Sequence, residues 1–286
     1  MPTDLALTDT ATACQSCGAE RPGEFCPQCG EQRFDRHDLS LPHVVEHGIE
    51  GFTHFDYKVP RTLWTLLTRP GVVEADILQG RRTIWAKPFA LFVIVNLLFY
   101  FGASLIHFKG FSTPARVHAT LSPYRDFAAD LFASQAAQKG LSVAEYMESF
   151  DALAQSIAKT MPFLFAVLLP FVLAILLWKK DRFLLEHFYV SLLWTTRMLI
   201  VLLAIHLVFA VLEEPVLSLV PLTYDALTSL LLLCVLGWAW YGTFRRTYGV
   251  GRVASVPTAL AASLAFLVIL IFVYRPVLMM LTVWLL

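Results

Sequence analysis

The sequence predicts an all-α polytopic membrane protein of about five transmembrane helices, preceded by a small cysteine-rich module and interfacial amphipathic helices. Of its 286 residues, 57% are hydrophobic, and the mean hydropathy is +0.62, whereas soluble domains are about 45–50% apolar. Long stretches with few or no charged residues recur from residue 88 onward. The formal net charge is zero, so no overall basic field suggests a nucleic-acid partner.

The N-terminal module is predicted from its cysteine spacing. Residues 1–13 show no signal-peptide pattern and predict a short disordered tail. Two Cys-x2-Cys pairs follow, each with a glycine directly after it, and their members are Cys14, Cys17, Cys26 and Cys29. This spacing matches four thiolate ligands of a tetrahedral Zn²⁺ ion, so residues 14–38 are predicted to be a zinc ribbon and linker. A redox dithiol is the alternative, but two pairs without a βαβ pattern speak against it.

Residues 39–87 mix apolar and charged side chains. No window reaches the roughly 18 uncharged apolar residues that a span needs, so we expect cytoplasmic amphipathic helices at the interface, interrupted at Arg69-Pro70-Gly71. Within this region His43, Glu46 and His47 match H-x-x-E-H, a pattern that supplies two zinc ligands and a base in some metallopeptidases. A second metal site is therefore one hypothesis, and ordinary polar residues of an amphipathic helix are the other.

The membrane domain is predicted over residues 88–286. Its spans are expected near residues 88–107, 161–178, 188–212, 222–241 and 256–274. Between the first two spans, residues 108–160 carry balanced charges and two helical segments divided by Gly140, which predicts an extramembrane helical loop. Arg197 lies either inside the third span or at its start. Residues 275–286 either extend the fifth helix past a proline kink or lie at the interface.

The charges of the short loops predict the orientation. Cytoplasmic loops carry an excess of Lys and Arg. The loops after spans two and four are basic, whereas the loop after span three has no Lys or Arg; the basic residues are Lys179, Lys180, Arg182, Arg245, Arg246 and Arg252. The N-terminus is therefore expected in the cytoplasm and the C-terminus outside. Thiolate zinc ligands also need a reducing compartment, which agrees with this orientation.

Several polar residues fall at predicted membrane depth, where ionisable groups are costly and are candidates for function. They are Asn96, Glu186, His187, Arg197, His206 and Arg275. One hypothesis is a substrate or ion path, and the other is a set of paired structural contacts. Cys234 lies in an apolar run and is expected to behave as a small hydrophobic residue.

The chain also resembles an uncharacterised family of bacterial membrane proteins that combine an N-terminal ribbon, an amphipathic region and several membrane helices. The resemblance is carried by Cys14-Gln-Ser-Cys17-Gly18, Phe25-Cys26-Pro27-Gln28-Cys29-Gly30, His54-Phe55-Asp56, Thr62-Leu63, Arg69-Pro70-Gly71, Gly80-Arg81-Arg82, Lys87-Pro88 and Glu186-His187-Phe188. It implies a multi-pass protein of the bacterial inner membrane and no established activity.

Three hypotheses for function follow. Four cysteines would fill a tetrahedral site and leave no position for water, so the predicted zinc is structural. The first hypothesis is therefore a non-enzymatic protein whose cytoplasmic part serves protein interaction or assembly, with the bilayer as its other partner. The alternatives are a transporter, channel or lipid-handling protein that uses the intramembrane polar residues, and a membrane metalloenzyme at the H-x-x-E-H segment. The sequence shows no P-loop, dinucleotide fingerprint or nucleophile elbow.

Overall fold

The computed structural model describes residues 12–33, 58–217 and 224–286. These residues form two short strands and eleven α-helices, and a π-helical turn, Leu270–Tyr274, joins the last two helices. The strands are β1 (Thr12–Ala13) and β2 (Glu20–Arg21), and the helices are α1 (Lys58–Thr68), α2 (Val72–Leu78), α3 (Pro88–Leu105), α4 (Ala115–Thr120), α5 (Arg125–Lys139), α6 (Val143–Ile157), α7 (Pro162–Leu176), α8 (Leu184–Leu217), α9 (Tyr224–Thr247), α10 (Arg252–Ile269) and α11 (Arg275–Leu285).

The protein is a multi-pass membrane protein, as predicted. In the described ranges, four helical segments are long and apolar enough to cross a bilayer: Pro88–Leu105, Leu184–Leu212, Leu227–Thr247 and Arg252–Leu285. The span predicted near 161–178 corresponds to α7, whose 15 residues extend about 22 Å and are short of a bilayer core. Helix α7 is long enough for a span only when it is taken together with α6, from which it is bent by 66°. The described residues therefore contain four spans, or five if the α6–α7 pair is counted as one span.

The centre of the bundle is an aromatic core. Trp194 of α8 stacks on Trp240 of α9 with ring centroids 4.8 Å apart, and Phe165 of α7 stacks on Tyr274 at 4.9 Å. All four side chains are almost completely buried. Because α7, α8, α9 and the α10–α11 helix all contribute to this cluster, it joins the membrane helices into one packed unit.

Helices α1 and α2 pack against the membrane helices where α3 begins. Leu66 of α1 and Val73 of α2 are fully buried, and both belong to a cluster that includes Leu91 of α3 and Leu193 of α8. Most of α2 is buried, so only α1 presents a broad exposed face of the kind expected for an interfacial helix. We call residues 12–33, which contain the four cysteines, the ribbon, and we call this side of the bundle the ribbon end.

Helices α4, α5 and α6 form a small subdomain at the opposite side, the far end. Phe132 and Phe150 lie 5.0 Å apart in its core, together with Met279 of α11. A capping box starts α6, because Ser142 Oγ accepts from the Glu145 backbone N–H at 3.3 Å while Glu145 Oε2 accepts from the Ser142 N–H at 2.8 Å. The residues between the first two predicted spans therefore contain the three helices α4, α5 and α6.

The last helix settles the position of the C-terminal residues. Arg252–Leu285 is a single helical span of 34 residues, about 50 Å long. Pro276 has no N–H to donate, and the π-helical turn just before it lets the helix continue. Residues 275–285 therefore extend this last helix, and the whole helix, Arg252–Leu285, connects the ribbon end to the far end.

Candidate metal centre and its attachment to the membrane helices

The four cysteine thiols form one compact cluster. Cys14 Sγ lies 3.6 Å from Cys29 Sγ, Cys17 Sγ lies 3.6 Å from Cys26 Sγ, and all four sulfurs fall within 4.8 Å of one another. A tetrahedral zinc ion with Zn–S bonds of about 2.3 Å requires sulfur separations near 3.8 Å. The arrangement therefore fits a single ion, and it is the one such cluster in the part of the chain that the structure describes.

Two similar turns bring these thiols together. The Gly18 N–H donates to the Cys14 carbonyl at 2.9 Å, and the Gly30 N–H donates to the Cys26 carbonyl at 2.8 Å. Both glycines have positive φ values, 76° and 74°, which other residues adopt only with strain. Each Cys-x2-Cys-Gly segment is thus a tight loop that turns its two sulfurs toward the other loop.

The thiols have unequal electrostatic surroundings. Desolvation raises the pKa of Cys29 to about 12. Desolvation also acts on Cys26, but the backbone N–H groups of Cys29 and Gln28 outweigh it and lower the pKa of Cys26 to about 6. A bound cation stabilises all the thiolates, because a coordinating thiol is deprotonated by its metal. The donor set matches zinc, which favours four sulfur ligands in a closed site.

Glu31, two residues after Cys29, attaches the ribbon to the segment before α3. Its Oε2 accepts hydrogen bonds from the backbone N–H groups of Arg82 and Thr83, both at 2.9 Å, and from Thr83 Oγ1 at 2.8 Å. The same oxygen accepts from the hydroxyl of Ser16, which lies between Cys14 and Cys17. We call this group of contacts the Glu31 clasp.

The clasp is buried and charged. Glu31 is only 4% exposed. Desolvation raises the pKa of its carboxyl, but the hydrogen bonds from Ser16, Thr83 and Arg82 outweigh desolvation, so the net pKa lies below the usual value. The carboxylate is therefore held ionised by donors from both sides, the ribbon and the membrane domain.

A second buried charge lies deeper at the ribbon end. Arg197 of α8 donates through Nη2 to Glu74 Oε1 of α2 at 2.8 Å, and through Nε to the Leu66 carbonyl of α1 at 2.8 Å. The two paired side chains are 1% and 0% exposed. Arg197 thus lies inside the continuous helix α8 and faces the bundle interior, which decides between the two positions considered for it.

The turn between α1 and α2 is inserted against α9. Arg246 donates to the Pro70 carbonyl at 2.5 Å, and Thr247 Oγ1 donates to the Gly71 carbonyl at 3.2 Å. A Cβ atom on Gly71 would lie 2.6 Å from the carbonyl oxygen of Gly242, so only glycine permits this approach. The Arg69-Pro70-Gly71 segment, predicted to interrupt the helices, is therefore also a contact with the membrane domain.

The remaining polar residues predicted at membrane depth do not share one set of contacts, although Glu186 and His187 are neighbours in α8. Asn96 donates to the Lys159 carbonyl, Glu186 pairs with Arg182 at 2.7 Å, and His187 lies 2.8 Å from the Tyr248 hydroxyl. His206 contacts the Leu202 carbonyl and stacks on Phe108, while Arg275 is half-buried near the far end. The described structure does not bring these residues together. His43, Glu46 and His47 lie outside the described residues.

Sequence reasoning missed Glu31 and Glu74. For Glu74 a signal existed, because an acidic residue three positions after a glycine that begins a helix can accept the N-terminal N–H, and Glu74 Oε2 accepts from Gly71 at 3.1 Å. The buried Arg197 also required an acidic partner. For Glu31 no local pattern was available, because its partners Arg82 and Thr83 are about fifty residues away in the chain.

Comparison with known proteins adds one result. Residues 56–100 match a family described as "Protein of unknown function (DUF3667)". The matched segment contains α1 and α2, the residues Arg82 and Thr83 that donate to Glu31 of the ribbon, and the start of the first span. No curated protein and no solved structure matches the chain. The match and the cysteine cluster together agree with an uncharacterised family that has a candidate metal site.

Proposed function

We propose that the chain is an integral protein of the bacterial inner membrane that uses a structural zinc ribbon for assembly or protein interaction on the cytoplasmic side. The Glu31 clasp carries this proposal, because it connects the thiol cluster directly to the segment that leads into the first span. Zinc folds the ribbon, and the folded ribbon holds that segment in place. The ribbon surface then becomes a rigid extension of the membrane domain.

Three observations support the cytoplasmic location. Thiolate ligands persist in reducing compartments. The short loops that precede α8 and α10 carry Lys and Arg, as cytoplasmic loops do. The Glu31 clasp joins the ribbon to residues just before α3, and Arg246, at the start of the second loop, donates to the Pro70 carbonyl before α2. Because Lys180 of the first loop donates to the Gly249 carbonyl of the second, the ribbon and both loops lie at the same end of the bundle. Zinc as the metal and the cytoplasm as the compartment are parts of this proposal.

The contacts of the intramembrane polar residues with other protein groups give no support to a transport path. Arg197 is bound to Glu74, His187 contacts Tyr248, and His206 contacts a carbonyl of its own helix. The closed donor set at the cysteines also favours a structural over a catalytic metal, because a catalytic zinc keeps a position for water. The proposal is therefore a scaffold role.

Metal analysis of the purified full chain tests the scaffold role. We expect about one zinc per chain in the wild type, and loss of it in Cys26→Ser. Cys234→Ser is the matched control, since Cys234 lies in α9 outside the cluster. Hydrogen exchange should then show faster exchange at the Arg82 and Thr83 amides in Cys26→Ser alone. Unchanged zinc content, or zinc loss without a change at these amides, would contradict the proposal.

The orientation has its own test in whole cells. Lys179→Cys and Ser134→Cys place exposed thiols at the ribbon end and in the far-end subdomain. A membrane-impermeant maleimide should label Ser134→Cys in intact cells, and Lys179→Cys only after permeabilisation. The reverse pattern would place the ribbon outside and remove the redox argument for zinc.

A further inference from the structure

Helix α1 has an outward face that combines positive charge with one large aromatic ring. Trp64 is 71% exposed, Arg61 is exposed one turn before it, and Arg69 is exposed in the turn that directly follows α1. The helix contains no acidic residue, so no negative side chain of α1 neutralises this face. The exposed face of α1 thus combines a large apolar ring with a positive charge, which is the composition of a surface that meets a membrane boundary.

The inner face of α1 locates the helix relative to the membrane. Val59 and Leu66 pack in a cluster with Trp85, with Leu91 of the first turn of α3, and with Leu193 of α8. Helix α1 therefore lies at the level where the first span begins. At this level a bilayer presents its glycerol and phosphate groups.

Arginine and tryptophan are the residues that this layer favours. Indole rings concentrate at the boundary between hydrocarbon and water, and basic side chains interact with the headgroups. The Arg61 guanidinium also lies 5.2 Å from the centre of the Trp85 ring, so the charge of Arg61 is held beside the indole of Trp85. Arg61 and Trp64 are three residues apart and therefore project from the same side of the helix.

Two other aromatic and cationic pairs occur at the ribbon end. Lys179 Nζ lies 5.4 Å from the ring centre of Trp178 at the end of α7, and the Arg245 guanidinium lies 5.8 Å from the ring of Tyr241 in α9. Trp178 is 76% exposed. An aromatic ring beside a basic group thus occurs at three places of the ribbon end, which is the pattern of an interfacial belt.

We propose that the outward face of α1 binds the headgroups of anionic phospholipids. Arg61, and Arg69 in the turn after α1, contact phosphate oxygens, and Trp64 enters the glycerol layer beside Arg61. Charge complementarity selects an anionic lipid over a zwitterionic one, because each basic residue near an anionic surface contributes about a fivefold preference. This inference rests on the proposed membrane location of the ribbon end but not on its orientation toward the cytoplasm.

Fluorescence quenching in lipid nanodiscs tests it with the intact chain. The signal is the tryptophan emission of the wild type minus that of Trp64→Phe, which isolates Trp64. We expect lipids brominated near the headgroup to quench this difference signal, with a severalfold preference for brominated phosphatidylglycerol over phosphatidylcholine. In Arg61→Gln/Arg69→Gln, quenching by both lipids should become similar. The matched control is Arg116→Gln/Arg125→Gln, which removes two exposed charges at the far end.

The other outcomes overturn the inference. Quenching by aqueous iodide but not by either brominated lipid would show that α1 faces water and serves a protein partner. Equal quenching by the two lipids in the wild type would show contact with lipid but no anionic preference. Metal content, measured on the same samples, separates these failures from a failure of the zinc ribbon.

Discussion

At the ribbon end the helices are joined by buried charges and carbonyl contacts, whereas at the far end they are joined mainly by alanines and aromatic rings. Arg197 and Glu74 are fully buried and paired, and Glu31 receives four hydrogen bonds. In the far-end core, Ala128, Phe132, Phe150 and Ala154 are all completely buried. Polar contacts there are fewer, and include Asp151 with the Ala115 N–H.

The two ends are therefore expected to differ in how their stability depends on single contacts. Hydrogen bonds and ion pairs are directional, and a buried group without its partner carries the full cost of desolvation. Apolar contacts are not directional and tolerate substitutions of similar volume. We therefore expect the ribbon end to lose much of its stability when one partner of a buried pair is removed. The stability of the far end should depend instead on the volume of its core side chains and on the protonation of the buried His118.

The largest effect is expected from breaking the buried ion pair. Arg197→Ala leaves Glu74 as an uncompensated buried charge, and such a change costs about 3–5 kcal/mol in free energy of unfolding. Unfolding by SDS titration measures it. Arg125→Ala at the far end is the control, because its pair with Asp126 is exposed and contributes about 1 kcal/mol or less.

A double variant sharpens this first test. Arg197→Met/Glu74→Met removes both charges and fills much of the same volume, so it should recover most of the stability. If Arg197→Ala alone cost no more than Arg125→Ala, the ribbon end would not depend on its polar contacts, and the contrast between the two ends would not hold.

The sequence predicted single elements better than the contacts between them. The cysteine cluster follows from spacing within sixteen residues, and the membrane helices follow from local hydropathy. The partners of Arg197 and Glu31 could not be predicted, because Glu74 is 123 residues from Arg197, and Arg82 is 51 residues from Glu31. The break between α6 and α7 falls where the second span was predicted to begin, whereas the sequence did not give its angle of 66°.

An intermediate effect is expected at the far end on acidification. His118 of α4 is fully buried, its Nδ1 lies 3.1 Å from the Tyr124 hydroxyl, and burial, with a smaller effect of the Arg275 charge, lowers its pKa to about 4. Between its usual pKa of about 6.5 and this value, the unfolded chain binds more protons than the folded one. Stability should therefore be intact above about pH 6.5 and fall by up to about 3 kcal/mol toward pH 4.

Comparing pH profiles of unfolding in two variants isolates this group. His118→Asn should reduce the loss of stability between pH 6.5 and 4, and His107→Asn, at an exposed position, should leave the profile unchanged. Parallel profiles for the wild type and His118→Asn would mean that other groups cause the loss of stability in acid. Protonation of a buried histidine would then not be what destabilises the far end.

The smallest effect is expected from Gly242→Ala, and it tests how closely α9 approaches the turn between α1 and α2. A Cβ atom at residue 242 would lie 2.8 Å from Pro70 Cβ and 2.9 Å from the Pro70 carbonyl oxygen. The backbone would have to move apart, at a cost of about 1–3 kcal/mol. Gly237 lies in the same helix with no neighbouring atom within 4 Å, so Gly237→Ala should be neutral or stabilising by up to about 1 kcal/mol, because alanine favours helix.

The two glycine variants should also differ at the ribbon end itself. Widening the contact at Pro70 lengthens the hydrogen bond from Arg246 and moves α2, which carries Glu74. Hydrogen exchange at the amides of α2 should therefore accelerate in Gly242→Ala and stay unchanged in Gly237→Ala. Equal exchange in both variants would mean that α2 is held by its apolar face and not by its contact with α9.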